Sequence, residues 1–273
     1  MTDLPAAPAH PFVITKEYRR FIEFCEACRR DRYIGLCYGA PGVGKTLSAR
    51  SYARWDSIER YALRHREAAT IPADVAACRT VFFTAPVVCS PRQLTDEINF
   101  AGHRLTQAVE DALALAAAPE DAPARRIEGW MELLIIDEAD RLKLIALETM
   151  RDRYDQGQIG LVLMGMPGIE KRMARYPQLY SRVGFVHHFR PLSEAEVRFI
   201  LAHHWTHLGM TTDTADFTDA ETLAAIIRIT NGNFRLLQRL FAQITRVLSI
   251  NHLQSVTREV VEAARESLVI GVM

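Results

Sequence analysis

The sequence predicts an α/β fold, in which helices flank a parallel sheet, followed by a smaller helical domain. Two observations predict this. Up to about residue 190, short apolar runs alternate with segments of helical spacing, as in strand–helix–strand units. Beyond Pro191 the periodic segments are all helical. We therefore expect an N-terminal arm or linker over residues 1–14, an α/β domain over 15–190 and a helical domain over 191–273.

Composition sets limits on the class of protein. Of the 273 residues, 49% are apolar, which is enough to fill a substantial core. The 33 basic and 33 acidic residues cancel, so the overall charge gives no support for a nucleic-acid partner, and any basic surface must be local. The odd number of cysteines, five, favours reduced thiols. Because no apolar run reaches the roughly twenty residues of a membrane span, we expect a cytoplasmic protein without membrane contact.

The first strand is predicted at residues 33–38, and a loop with a phosphate-binding pattern follows it. The loop matches G-x-x-x-x-G-K-[ST], and its residues are Gly39, Ala40, Pro41, Gly42, Val43, Gly44, Lys45 and Thr46, with Leu47 opening a helical segment over 47–58. Glycines in this pattern let backbone N–H groups point at a phosphate chain. Lys45 then reaches the β- and γ-phosphates, and the Thr46 hydroxyl takes a magnesium position. We therefore expect ATP with Mg²⁺ at this loop.

The next elements continue the alternation. Residues 79–85 are rich in β-branched and aromatic side chains and end at Pro86, which predicts a buried strand. A long helical segment follows over 91–118, and residues 116–128 have a loop-like composition.

Residues 131–138 predict a buried strand that ends in two acids, Asp137 and Glu138. This is the form of a Walker B segment, in which Asp137 would bind Mg²⁺ directly or through water. Glu138 points elsewhere and would orient or deprotonate the attacking water. The alternative is a core strand that ends in solvated acids. The phosphate-binding loop about ninety residues upstream favours the Walker B interpretation.

After the acids, a helix is predicted over 144–154, a strand over 159–164 and a further apolar run over 183–189. Transfer of a γ-phosphoryl group also requires positive charge, which an arginine from a neighbouring subunit can supply. Candidates stand in the segments 171–175 and 181–183, the second of which contains Arg182.

The region after Pro191 shows helical apolar spacing over residues 193–208, 219–229, 234–250 and 257–268. Ser193, with Glu196 three residues later, predicts a capping box at the start of the first of these helices.

With these motifs in this order, the chain from Phe12 to Leu268 resembles an AAA+ ATPase. The resemblance implies hydrolysis of ATP to ADP and phosphate, with Lys45, Glu138 and Arg182 as the catalytic set and the helical domain as a lid. It also implies that Phe12 and Val13 belong to a linker on the adenine, that Arg182 is an arginine finger and that Arg235 is sensor II. At the sensor I position, the family has a polar residue where this chain has Met166. A thioether forms only weak hydrogen bonds, which predicts slow hydrolysis.

Within AAA+ proteins, residues 133–143 and 162–165 look most like transposon target-selection ATPases of the TnsC, TniB and MuB kind. That resemblance implies a homo-oligomer, as a ring or helical filament, that assembles on duplex DNA with ATP. It also implies recruitment or activation of a transposase, a possible target-selection protein as a second partner, and disassembly on hydrolysis. Residues that would follow the DNA backbone, without sequence specificity, are Arg92, Arg104 and Thr106.

The sequence leaves two alternatives open. One is another AAA+ ATPase that acts on DNA, such as an initiator or helicase loader. The other is a secretion or signalling ATPase that binds a protein partner and no DNA. Retention on duplex DNA in the presence of an ATP analogue separates these classes.

Overall fold

The computed structural model describes residues 12–63, 71–116, 131–157, 159–207, 220–253 and 255–268. Most of the predicted loop over 116–128 lies outside the described residues. The described chain forms two compact units. One is Tyr18–Phe189, and the other joins the residues before Tyr18 to those from Arg190 onward.

The first unit contains a five-stranded parallel sheet, with the strand order β2-β3-β4-β1-β5. The strands are β1 (Ile34–Tyr38), β2 (Thr80–Thr84), β3 (Leu133–Asp137), β4 (Gly160–Gly165) and β5 (Val183–His188). Thr84 pairs with Asp137, and Tyr38 pairs with Gly165, so these strands end at one edge of the sheet. The predicted α/β fold with a parallel sheet is confirmed.

Burial along the strands follows from their place in the sheet. β3 and β4 are buried along their whole length, which explains their continuous apolar sequences. β5 instead alternates between half-buried and exposed residues, because it lies at an edge of the sheet.

Among the described residues of this unit, seven α-helices accompany the sheet: α1 (Lys16–Asp31), α2 (Lys45–Tyr52), α3 (Trp55–Leu63), α4 (Pro91–Ala116), α5 (Leu144–Gly157), α6 (Ile169–Met173) and α7 (Pro177–Tyr180). The single helical segment predicted over 47–58 is divided into α2 and α3. Arg54 has a φ of 51°, in the left-handed region, which ends α2 and starts a new helix direction. That direction buries Trp55, Ile58 and Tyr61.

The second unit contains α8 (Glu194–His207), α9 (Ala220–Thr230), α10 (Phe234–Ile250) and α11 (Arg258–Glu266), which enclose their own apolar core. The predicted capping box is confirmed: Glu196 Oε2 accepts from the backbone N–H of Ser193 at 2.9 Å, and Ser193 Oγ accepts from the N–H of Glu196 at 3.4 Å. Glu196 Oε1 also accepts from the N–H groups of Lys16 and Glu17, at 2.9 and 3.3 Å. One carboxylate therefore caps two helices.

The same contacts explain why the residues before Tyr18 group with the helical unit. The sequence placed residues 15–17 in the α/β domain, and the domain boundaries themselves remain a prediction. Within the described ranges, no helix is both long enough and apolar enough to cross a bilayer.

Two glycines give opposite predictions for stability. A Cβ on Gly160, at the start of β4, would lie 2.4 Å from the carbonyl oxygen of Cys28, whereas a Cβ on Gly102, within α4, would meet no described atom within 4 Å apart from the adjacent backbone of its own helix. Gly160→Ala should therefore lower the free energy of unfolding by about 1–3 kcal/mol. Gly102→Ala should raise it by about 0.5–1 kcal/mol, because alanine loses less backbone entropy in a helix.

Urea denaturation of both variants beside the wild type measures these changes. Equal stability of the two variants would contradict the packing described for β4.

Candidate functional site

The phosphate-binding loop follows β1, and its backbone has the conformation that its glycines allow. Gly42 and Gly44 have φ of 81° and 107°, a region that is strained for a residue with a side chain. Gly39 serves close packing, since a Cβ there would lie 2.3 Å from the carbonyl oxygen of Phe189. α2 begins at Lys45, so the loop leads into a helix N-terminus, which favours an anion.

The other residues of the loop differ in their exposure. Val43 is buried, Ala40 is half-buried, and Pro41 and Leu47 are exposed. The apolar contact of Val43 with the interior anchors the middle of the loop, while its neighbours remain accessible to a ligand.

Lys45 places its ammonium group inside the loop. The side chain is buried, and Nζ donates to the carbonyl oxygens of Gly39 at 2.6 Å and Ala40 at 3.0 Å. Burial lowers the pKa of Lys45, and the nearby acids, including Asp137 and Glu138, oppose that shift. A phosphate chain in the loop would therefore gain a cation that is already partly desolvated.

Thr46 and Asp137 join the two motifs that the sequence identified separately. The hydroxyl of Thr46 donates to Asp137 Oδ2 at 2.6 Å, across a separation of 91 residues in sequence. Asp137 Oδ1 accepts from the backbone N–H of Glu138 at 2.9 Å. Burial raises the pKa of Asp137, and the hydrogen bond from Thr46 opposes the shift. Two oxygen atoms that can bind a metal ion, Thr46 Oγ1 and Asp137 Oδ2, are thus fixed beside the loop.

Glu138 lies directly after β3 with an unusual backbone. Its φ of 55° and ψ of 35° are left-handed values, which are unfavourable for a residue with a side chain. The carboxylate is partly exposed and lies 3.5 Å from the guanidinium of Arg141. Arg141 also donates to the carbonyl oxygen of Ala85 at 2.9 Å. Arg141 therefore ties the Glu138 carboxylate to the turn after β3, and the role of Glu138 in orienting water stays a prediction.

The remainder of this turn is held by residues that the sequence interpretation did not assign. Asp140 Oδ1 accepts from the backbone N–H of Met166 at 3.2 Å, and Arg172 donates to the carbonyl oxygens of Asp140 and Leu142. Arg172 was one of the candidates for an arginine supplied to a neighbour, and here it supports its own chain. Met166 follows β4 with a partly exposed thioether, so a polar side chain is missing from that position.

Arg182 lies near the amino-terminal ends of the strands, whereas the phosphate-binding loop lies at their carboxyl-terminal ends. Its carbonyl oxygen accepts from the N–H of Ile34, the first residue of β1, whereas the loop follows the last residue, Tyr38. Five residues of strand separate the two by roughly 17 Å. The guanidinium of Arg182 forms an ion pair with Asp155 on α5.

Three predicted nucleotide contacts belong to the helical unit. Arg235 is exposed in the first turn of α10, Phe12 is half-buried, and Val13 packs against the core of the helical unit. Their contacts with nucleotide stay predictions.

The three predicted DNA contacts all lie on α4. The Arg92 side chain is 93% exposed and lies 3.9 Å from Asp96. Arg104 and Thr106 are two residues apart, and therefore about 160° apart around the helix, on opposite flanks. Arg92 and Thr106 are only about 40° apart. The structure therefore does not bring the three side chains together on one face.

Arg104 instead contributes to a cavity of about 240 Å³. Its guanidinium stacks over Phe100 at 4.5 Å from the ring centroid, and its Nε has no hydrogen-bond partner among the described residues. The cavity contains both charged and aromatic side chains, and its lining includes Arg50, Trp55, Glu59, Phe82, Glu97 and Phe100.

The site geometry is matched by sequence comparison. A family model described as "AAA domain" matches residues 28–173, which contain both the phosphate-binding loop and the acids after β3. The chain belongs to the AAA domain family. As an AAA domain, it is an ATP-binding P-loop ATPase, and that prediction is confirmed at this level.

Relatives of this AAA domain include a "Potential ATP-binding protein" of Staphylococcus aureus, 42% identical, with 96% of this chain and 97% of that protein covered. The Mu-like prophage FluMu DNA transposition protein B of Haemophilus influenzae is 28% identical, with 86% and 72% covered. The ATP-dependent target DNA activator B of Escherichia phage Mu is 27% identical, with 73% and 57% covered. The predicted resemblance to AAA+ ATPases of the MuB type is therefore confirmed.

Solved structures support the fold. The Aeropyrum pernix ORC2 protein in its ADP form has a TM-score of 0.60 at 15% identity, with 97% of this chain and 71% of that chain covered. The Thermotoga maritima RuvB Holliday junction branch migration motor has a TM-score of 0.55 at 15% identity, with 93% and 70% covered. At this identity the likeness concerns the fold of the AAA domain alone.

Asp137 gives a prediction in which stability depends on pH. Because burial raises its pKa, the ionised carboxylate disfavours the folded state at neutral pH. Asparagine can accept from the N–H of Glu138 and donate to Thr46 Oγ1. Asp137→Asn should therefore raise the free energy of unfolding by about 0.5–1 kcal/mol at neutral pH. The gain should shrink as the pH falls through the raised pKa and the wild-type carboxyl group becomes neutral.

Urea denaturation without nucleotide, repeated between neutral and acidic pH, tests this prediction. The matched variant Asp137→Ala leaves Thr46 and the N–H of Glu138 without their partner, so it should lower stability at each pH. A destabilised Asp137→Asn at neutral pH would show that the charge of Asp137 is favourable to the fold.

Proposed function

We propose that this chain is an ATP-dependent, DNA-binding regulator of DNA transposition, which assembles on duplex DNA with ATP and recruits or activates a transposase. Two relatives support this by their names, DNA transposition protein B and ATP-dependent target DNA activator B. The observation that supports it most is the intact nucleotide site within the AAA domain match over residues 28–173, where Lys45, Thr46 and Asp137 come together at the carboxyl ends of the strands. Hydrolysis then drives disassembly.

The donor set fits a magnesium ion. Mg²⁺ prefers oxygen ligands in octahedral geometry, with neighbouring ligand oxygens about 2.9 Å apart. Thr46 Oγ1 and Asp137 Oδ2 are 2.6 Å apart, and the carboxylate is buried, so both can serve one cation with a small adjustment. When bound, Mg²⁺ would neutralise charge on the β- and γ-phosphates.

The protein groups have separate parts in hydrolysis. The loop amides and Lys45 hold the phosphate chain, and Glu138 orients the water that attacks the γ-phosphorus. As the new P–O bond forms, the bond to the ADP oxygen breaks, and the proton of the water passes to Glu138 and on to solvent. The thioether of Met166 offers no strong hydrogen bond to that water, which makes slow hydrolysis the expected outcome.

Positive charge for the transferred group comes from a neighbouring subunit in this proposal. Arg182 lies near the amino-terminal ends of the strands, roughly 17 Å from the phosphate-binding loop of the same chain, so it cannot contact the ATP bound there. The same position makes it accessible to a second copy. The nucleotide site is therefore complete only at an interface between two subunits, and ATP binding promotes assembly.

In this proposal, several subunits of the assembly contact the DNA together. Arg92 and Thr106 share one face of α4 and can follow a phosphate backbone, whereas Arg104 occupies the cavity beside Phe100. One exposed arginine gives weak binding on its own, and the net charge of the chain is zero. Several subunits that present Arg92 together would create the basic surface that a single chain lacks.

Retention on immobilised duplex DNA tests the proposed function. With a non-hydrolysable ATP analogue, the wild type should be retained at about 0.05 M salt and released by about 0.2 M, since phosphate contacts release counterions. Lys45→Ala, which cannot hold the phosphates, should pass through in the same mixture. A wild-type protein that stays monomeric and passes through the DNA column in the same mixture would refute the proposed function.

Glu138→Gln separates nucleotide binding from hydrolysis. Because Glu138 acts on the water and not on the phosphates, the variant should bind ATP as the wild type does. Its rate of ATP hydrolysis should be lower than that of the wild type by a factor of about 100 or more. Its DNA-bound assemblies should therefore persist longer after free ATP is removed. The decay of light scattering after ATP removal measures their lifetime. Loss of ATP binding in this variant would refute the role given to Glu138.

A further inference from the structure

Each of the three guanidinium nitrogens of Arg182 donates a hydrogen bond within its own chain. Nε donates to Asp155 Oδ1 at 2.6 Å and Nη2 donates to Asp155 Oδ2 at 2.8 Å, a bidentate pair. Nη1 donates to the carbonyl oxygen of Gln178. The bidentate edge is the one that an arginine also uses for a phosphate. Arg182 therefore cannot hold Asp155 and a phosphate through the same two groups at once.

Asp155 is itself fixed in place for this contact. Arg151, one turn earlier on α5, donates to Asp155 Oδ2 at 2.7 Å and to Glu148 Oε2 at 2.8 Å. The hydrogen bond from Arg182, the largest influence, lowers the pKa of Asp155. The carboxylate is therefore ionised at neutral pH and oriented toward Arg182 by its own helix.

The pair is placed where it can be exchanged. Both side chains are 31% exposed to solvent, so water and a ligand can reach them. Partly exposed ion pairs contribute little net free energy, because solvation competes with the attraction. A terminal phosphate carries more negative charge than a carboxylate and offers the same bidentate geometry. A γ-phosphate brought to this edge would compete effectively with Asp155.

We propose that Asp155 is a positioning residue that holds Arg182 in the unassembled chain, and we call this Asp155–Arg182 pair the latch. During assembly, Arg182 leaves Asp155 for the γ-phosphate of a neighbouring subunit's ATP. The proposal rests on the proposed function, because it requires Arg182 to act at a neighbour's site. Asp155 thereby sets the protein concentration at which assembly and hydrolysis begin, and it leaves the rate within a completed interface unchanged.

ATP turnover measured at increasing protein concentration, on saturating duplex DNA, tests the latch. Asp155→Asn removes the charge and one acceptor oxygen. It should lower the concentration for half-maximal turnover by about two- to fivefold, with the same maximal rate per subunit. Asp152→Asn is the matched control, since Asp152 lies on the same helix and accepts from Gln156. It should leave both values unchanged.

The double variant Asp155→Asn with Arg182→Ala separates a latch from general destabilisation. If Asp155 acts through Arg182, the double variant should behave as Arg182→Ala alone, which should lose most turnover. A midpoint for Asp155→Asn that is unchanged or higher, while Arg182→Ala loses turnover, overturns the latch and leaves the proposed function standing. Wild-type turnover in Arg182→Ala overturns both the latch and the arginine supplied between subunits.

Discussion

The hydrogen bond between Thr46 and Asp137 holds the site together. It connects the helix after the phosphate-binding loop to the end of β3, although β4 lies between β1 and β3 in the sheet. At the end of β4, a Cβ on Gly165 would lie 2.4 Å from Asp140 Oδ1, so the glycine leaves room for the turn that follows β3. The site therefore depends on the sheet order and on the small residue that ends the middle strand.

The site carries costs that the sheet offsets. Lys45 and Asp137 are charged groups in a largely buried setting, with pKa values displaced by burial in the directions that disfavour their charged forms. Glu138 adds a left-handed backbone. Such features concentrate where a ligand will later satisfy them. The buried apolar runs of β3 and β4 supply the stability that permits this arrangement.

The sequence was most informative where local pattern determines structure. The phosphate-binding loop, the strand that ends at Asp137 and the capping box of Ser193 and Glu196 each depend on residues within a short segment, so spacing and residue type predict them. The break between α2 and α3 was not predicted, because Arg54 gives no sequence signal for a left-handed backbone.

Long-range contacts were beyond the reach of the pattern. The pairing of Arg182 with Asp155 joins residues 27 positions apart, and Arg172 supports the turn at Asp140 from 32 positions away. Helical spacing could have shown that Arg104 and Thr106 occupy opposite flanks of α4. The cavity that receives Arg104 requires the packed structure, since its lining comes from α2, α3, β2 and α4.

Cryo-electron microscopy of the wild type with duplex DNA and a non-hydrolysable ATP analogue would show whether Arg182 completes a neighbour's nucleotide site. We expect rings or helical filaments around DNA, in which the Arg182 side chain of one subunit contacts the γ-phosphate bound by Lys45 of the next. Monomers under these conditions, or an assembly in which Arg182 stays on Asp155 and away from nucleotide, would contradict it.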